Sequence, residues 1–275
     1  MTSRFGEDVE SSLARLNRDR IERLATLAYG DRAWPMYCVL PRLLDRARPT
    51  VLISGGIHGD EPAGVYAALA FLADARHEFD DAFQFVVFPC INPSGFDANM
   101  LETASGANLN RLFGILSSQP EVRAVEDWLG RCAVRFHLTF DLHEVRPDYV
   151  GEGYTEEDNP QAAYLYETVT DRSPRIGRAM IDALPPGRAV CQWPTIYDDI
   201  NDRGLISYPQ DARNRIYAMG TTFDGFLTGR NYTGHAFTLE TPTGWPLQDR
   251  VATQLTFLRT ALRYATPRLG TTVPS

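Results

Sequence analysis

Short apolar runs alternate along this chain with segments whose apolar residues recur at helical spacing. Thr50-Val51-Leu52-Ile53 is a β-branched run that predicts a buried strand. The Ala- and Leu-rich stretch Ala63 to Leu72 predicts the helix that follows. Pro62 suits the first position of that helix and pushes Glu61 out of the helical region. Phe83 to Phe88 is a second apolar run, stopped by Pro89. A long connection from Cys90 to Asn110 comes next, with Asn92-Pro93-Ser94-Gly95 as a turn. A connection of that length within a domain is usually functional or disordered. Pro120-Glu121 starts a helix to about Arg131, and Leu138 to Leu142 predicts a third strand with His143 and Glu144 just beyond it.

The outer parts are less regular. Val9, Leu13, Leu16, Leu24 and Leu27 stand at roughly helical spacing among charges, predicting one amphipathic helix over about 7–28 packed on the body. Met36 to Leu40 predicts a strand closed by Pro41. The polar stretch Asp148 to Gln161 predicts a loop, and Tyr164-Leu165-Tyr166 a strand. Arg175 to Leu184 has helical character until Pro185-Pro186-Gly187 breaks it, and Asp198 to Ser207 reads as polar and exposed. Ala236 to Leu239 predicts a strand carrying Glu240 at its end. The turn Thr241-Pro242-Thr243-Gly244 then leads to a last helix from about Leu247 to Tyr264. Strands alternating with helices, without repeats or a linker, indicate a single α/β domain over 1–275 with a largely parallel sheet. Sites in such sheets gather beyond the carboxyl ends of the strands, where His58, His143 and Glu240 all fall.

Composition narrows the function. With 275 residues and 44% hydrophobic content, the chain can bury a large core. A formal net charge of −8 argues against general binding to nucleic acid or anionic membranes. Every basic residue is arginine, which excludes lysine-based catalysis. Cys38, Cys90, Cys132 and Cys191 are widely spaced, as expected of buried free thiols in a reducing compartment. The charged N-terminus shows no signal-peptide pattern, so none is expected, and no apolar run is long enough to span a membrane. The expectation is a soluble cytoplasmic protein.

The chemistry centres on Ser54-Gly55-Gly56-Ile57-His58-Gly59-Asp60-Glu61-Pro62. His58 and Glu61 share a strand-end loop, a spacing that suits half a zinc site. His77 and Asp80 have the same spacing but lie in a charged stretch that reads as solvated. Adding His143 gives two nitrogens and a carboxylate, which leaves the fourth zinc position for water. Glu240 is then the carboxylate available to move a proton. The alternatives are a turn-capping role for Glu240 and, for His143, a core histidine satisfied by Asp141 or Glu144.

Five blocks, in order from residue 51 to residue 245, resemble the zinc carboxypeptidase superfamily, which includes carboxypeptidase A, succinylglutamate desuccinylases and aspartoacylases. They are Gly55-Gly56-Ile57-His58-Gly59-Asp60-Glu61, Asn92-Pro93-Ser94-Gly95-Phe96, Asn108-Leu109-Asn110-Arg111, Asp141-Leu142-His143 and Thr238-Leu239-Glu240. The resemblance implies a mixed, mostly parallel twisted sheet of about eight strands with helices on both faces. It also implies zinc held by His58, Glu61 and His143, with Glu240 as general base. Asn110 and Arg111 match the pair that grips a substrate's free carboxylate, a task suited to the two parallel bonds of a guanidinium. Tyr217 resembles the family's mobile tyrosine.

The chain departs from the family in several ways. Asp60 replaces the arginine that carboxypeptidases place between the ligands, and Leu101 stands where a transition-state arginine is expected. Arg146, three residues after His143, is the expected replacement donor. With one helix expected after Glu240, the C-terminal β domain that caps the site in the deacylase branch is not expected. The expected activity is a carboxypeptidase-like zinc hydrolase acting on small peptides with a free carboxylate. The alternatives are an N-acyl amino acid deacylase and a metal- or carboxylate-binding homologue without catalysis.

Overall fold

The computed structural model describes residues 3–208 and 221–269, with side chains described to residue 266. Eight strands form one mixed sheet in the order β1-β2-β4-β3-β5-β10-β6-β9. In chain order these are β1 (Asp19–Tyr29), β2 (Arg32–Pro41), β3 (Thr50–Gly55), β4 (Gln84–Phe88), β5 (Leu138–Val145), β6 (Tyr164–Val169), β9 (Leu205–Tyr208) and β10 (His235–Pro242). A small hairpin, β7 (Thr195–Ile196) with β8 (Asp199–Ile200), stands apart. The four pairings β3/β4, β3/β5, β5/β10 and β6/β9 are parallel, and the other three are antiparallel. The expected α/β architecture is therefore present.

Strand alternation sorts the core into two layers. Val51 and Ile53 of β3 join one cluster with α2 (Pro62–Ala73), α5 (Gly177–Asp182) and α7 (Leu247–Leu269). Leu52, between them, joins the other with α4 (Pro120–Cys132) and α6 (Phe223–Gly229). A third cluster of Val145, Tyr164, Tyr166, Ile196, Ile206 and Tyr208 packs under the β7/β8 hairpin. The cysteines are free, and three of the four are buried. Among the described residues, no helix is long and apolar enough to cross a membrane.

The N-terminal expectation is corrected. Helical structure ends early, with a π-helical turn (Gly6–Glu10) running into α1 (Ser11–Leu13). Residues from Asp19 onward form β1, which returns as β2 through Gly30 at φ 63°. A register shift between Arg23 and Ala25 explains the misleading pattern. A bulge adds one residue to the strand, so Leu24 and Leu27 fall three apart and imitate helical spacing.

Three smaller expectations also change. Asn92 does not simply mark a turn: its side chain caps α3 (Pro93–Ala98) by accepting from Gly95 N at 2.8 Å. β5 runs to Val145, so His143 and Glu144 lie within the strand rather than beyond it. Residues 198–207 are not simply exposed, since they contain β8 and most of β9, and Asn201, Leu205 and Ile206 are buried.

Candidate active site

His58 and Glu61 occupy the loop after β3, and the glycines beside them make its path possible. A Cβ on Gly59 would lie 2.0 Å from the Gly95 carbonyl carbon, so the loop packs directly on the backbone of α3. The Gly59 N–H donates to the Leu101 carbonyl at 3.4 Å, and Asn92 Nδ2 donates to the same oxygen at 3.2 Å. Glu61 sits outside the helix at φ −108° and ψ 63°, with Pro62 at the first position of α2, as expected.

The three ligand candidates converge, each offering an atom within 4.8 Å of the others. His58 Nδ1 is 2.6 Å from Glu61 Oε1, and His143 Nδ1 is 2.9 Å from Glu61 Oε2. The opposite ring nitrogens also meet oxygens. His143 Nε2 is 2.9 Å from Asp141 Oδ2, and His58 Nε2 is 3.2 Å from Asn108 Oδ1. Both oxygen partners are themselves fixed. Asp141 accepts from Ser54 Oγ at 2.7 Å, and Asn108 Oδ1 accepts from Asn110 N at 3.0 Å.

This arrangement tests whether a metal fits. A neutral imidazole carries one N–H, so it cannot donate from both nitrogens at once. Four ring nitrogens facing four oxygens require either two buried imidazolium ions or a cation between the rings and Glu61. Burial pushes the Glu61 carboxyl up, but His58 and His143 outweigh it and hold it down at about 2. Burial lowers His143, yet Asp141 and Glu61 overcome it and raise the ring well above the ordinary histidine value. The pocket is thus organised for positive charge. Two imidazoles and one carboxylate match a catalytic divalent-metal site, and the Nε2 contacts are those that orient ligating rings.

Glu240 lies directly across from His143 in the parallel β5/β10 pair. It is half-buried and lines the same cavity, which holds about 250 Å³. Burial raises its carboxyl well above the ordinary range, against the pull of His143 and with Glu61 and Asp141 adding to the rise. A dication among the ligands acts in the opposite direction.

Asn110, Arg111 and Arg146 also line this cavity. Asn110 Oδ1 accepts from Phe223 N at 2.9 Å, which ties its turn to α6. Arg111 makes a two-bond pair with Glu152, at 2.7 and 2.6 Å. Arg146 is spread between Asp60 at 2.7 Å and Asp148 at 3.0 and 2.8 Å. Its bond to Asp60 anchors the loop between the two ligands His58 and Glu61. Leu101 lines the cavity as well, and Tyr217 lies outside the described residues.

Several residues of the site were not singled out from the sequence. In the sequence, Asp141 stands out only as a structural partner of His143 and as part of the Asp141-Leu142-His143 block. Its spacing of two residues, which puts both side chains on one strand face, is the signal for its orienting role. Glu144 accepts from Ala63 N at 2.7 Å and from Arg250 Nη1 at 2.6 Å, joining β5 to α2 and α7. Tyr149, Tyr154, Tyr166 and Tyr197 complete an aromatic wall together with Tyr164. No sequence pattern marks that wall.

Residues 47–146 match the succinylglutamate desuccinylase/aspartoacylase catalytic domain family. The matched region and the fold are both similar to those of the zinc carboxypeptidase superfamily. Among curated proteins it resembles carboxypeptidase SOL1 of Arabidopsis thaliana, with 26% identity over 162 residues, covering 50% of this chain and 32% of that protein. The matched region is thus about a third of that relative. Among solved structures, a proposed metallopeptidase from Shewanella amazonensis superposes with a TM-score of 0.73 at 22% identity, covering 96% of this chain and 93% of the other. A metallo-carboxypeptidase from Pseudomonas aeruginosa, solved with (2-guanidinoethylmercapto)succinic acid, gives 0.62 at 17% identity, covering 95% and 68%. At these identities the structural likeness is one of fold.

Proposed function

We propose that the protein is a zinc-dependent hydrolase that cleaves an amide bond next to a free carboxylate, with carboxypeptidase-like action on small peptides. The observation that carries this reading is one cavity holding the His58–Glu61–His143 group, the carboxylate of Glu240 and the guanidinium of Arg111. His58, Glu61 and His143 would hold the metal, and Asp141 and Asn108 keep the two rings turned towards it. A zinc ion bound there would polarise the scissile carbonyl and make water acidic enough to attack at neutral pH. Glu240 accepts the proton of the attacking water and passes it to the departing amine. Arg111 pairs with the substrate's free acid, and Arg146, held by Asp60 and Asp148, is the further cationic group proposed to act on the growing negative charge. The ligand named for the Pseudomonas structure, a succinic acid derivative, is consistent with carboxylate recognition in this fold.

Deacylation of an N-acyl amino acid is the second reading, favoured by the desuccinylase/aspartoacylase family match. A rate comparison on short peptides, N-acyl amino acids and their terminal amides, with and without chelator, tests the proposal. The expected result is chelator-sensitive cleavage of peptides bearing a free acid, with amides cleaved far more slowly. Arg111→Met should reduce the discrimination between acid and amide by about 1.5–3 kcal/mol, the worth of hydrogen bonds to a charged group. Faster turnover of N-acyl amino acids would favour the second reading. No turnover by a metal-loaded protein that still binds carboxylates would make it a non-catalytic homologue.

A further inference from the structure

The arginine assigned to the substrate's acid already holds a carboxylate. Arg111 Nε and Nη2 donate to Glu152 Oε1 and Oε2 at 2.7 and 2.6 Å. These are the two parallel bonds that a substrate's free acid would make. Both residues line the cavity of the ligand group. Glu152 is thus a carboxylate from the chain itself, seated where the ligand's carboxylate is expected.

The backbone that delivers Glu152 is unusual for this residue. Gly151 and Tyr154 exchange two main-chain bonds, at 3.2 and 2.9 Å. The residues between them, Glu152 and Gly153, have φ of 55° and 92°. Such a turn, with positive φ at both central positions, favours Asn, Asp or Gly. Glutamate gains nothing locally from the left-handed conformation. Turn chemistry therefore does not account for this residue, whereas its contact with Arg111 does. The rest of the loop is anchored independently. Asn159 Nδ2 donates to the Pro147 and Tyr149 carbonyls at 3.3 and 2.8 Å, and Tyr154 Oη donates to Asp198 at 3.2 Å. Rotation of the Glu152 side chain can release Arg111 while these anchors stay in place.

We propose that Glu152 is an internal competitor for the ligand's carboxylate, and so a specificity-determining residue of the site. This rests on the reading of Arg111 as the carboxylate clamp. A bound acid must displace Glu152, so its affinity reflects the difference between two carboxylates on one guanidinium. Acids held only by the clamp gain little, whereas acids that also fill the aromatic cavity gain enough to enter. The pair is partly open to solvent, with about two fifths of each side chain exposed. The displaced carboxylate can therefore turn towards water, and the competition is one that a substrate can win.

The test is calorimetric titration of the metal-loaded protein with 3-phenylpropanoate and with its amide. Glu152→Gln should tighten binding of the acid about three- to tenfold, the range in which a half-exposed pair competes. Binding of the amide should not change. Glu152→Asn suits the turn better, and it should give the same gain with a Tm equal to or above that of the native chain. In an Arg111→Met background, Glu152→Gln should give no gain. An equal gain in that background would mean that charge removal alone is responsible, and would overturn the proposal. Unchanged acid affinity in both Glu152 variants, with Arg111→Met still weakening it, would leave the clamp standing and remove the competitor. An acid-to-amide ratio unaffected by Arg111→Met would instead remove the clamp itself.

Discussion

Glu240 and His143 come from strands almost a hundred residues apart in the chain, yet they are direct neighbours in a parallel pairing. That register explains how a carboxylate can stand beside the ligand group without belonging to it. Glu240→Gln is expected to retain the fold and the metal while lowering kcat by about two to four orders of magnitude. Metal content by elemental analysis, measured with the rate, decides between roles. Stoichiometric loss of metal would make Glu240 a ligand. At this scale the sequence was informative wherever a polar residue ends an apolar run. His58, Glu61, His143 and Glu240 could be picked out because each follows an apolar run in the sequence, where such groups have little structural reason to stand. His143 and Glu240 nevertheless prove to lie within their strands. The partners of Arg111 and Arg146 could not. Glu152 belongs to a loop far along the chain from Arg111, and Asp60 lies on the far side of β5 in sequence from Arg146, so these pairings are settled only by tertiary packing.

Among the elements, glycines set the spacing between the ligand loop and its supports. A Cβ on Gly64, in the first turn of α2, would lie 2.3 Å from the Leu142 carbonyl oxygen of β5. The contact involves backbone, so the helix itself would have to move. Gly64→Ala is expected to destabilise the fold by about 1–3 kcal/mol, as overpacking does. Because α2 follows Glu61 directly, the shift should also weaken metal binding. Denaturant melts and a metal titration of the variant check both effects, and native-like values would show that the contact relaxes freely. The central strands β3, β4, β5, β6 and β10 could all be read from their apolar runs, because burial on both faces leaves a continuous signal. β1 could not. Only one of its residues is fully buried, and its bulge disguises the strand period as a helical one. β9 was hidden for a related reason, being a short strand within a polar stretch.

At the scale of the whole molecule, the ligand group ties the β3 loop to β5 near the centre of the sheet. A metal that binds only the folded chain raises its stability in proportion to occupancy. The gain is about 4 kcal/mol at a thousand times Kd. Chelation should therefore lower Tm, and readdition of zinc should restore it. Equal melting with and without chelator, in protein shown to start with bound metal, would mean that the ion contributes nothing to the fold.

The position of β10 has a further consequence for synthesis. Among the described residues this strand is the last of the sheet in sequence, yet it lies between β5 and β6 and is the link that joins their two halves. During translation the three proposed ligands, His58, Glu61 and His143, emerge well before Glu240. A nascent chain halted before β10 carries the complete ligand set but lacks the carboxylate assigned to proton transfer. On the proposed roles, vectorial synthesis would separate metal capture from hydrolysis in time, with proton transfer available only once β10 threads into the middle of the sheet.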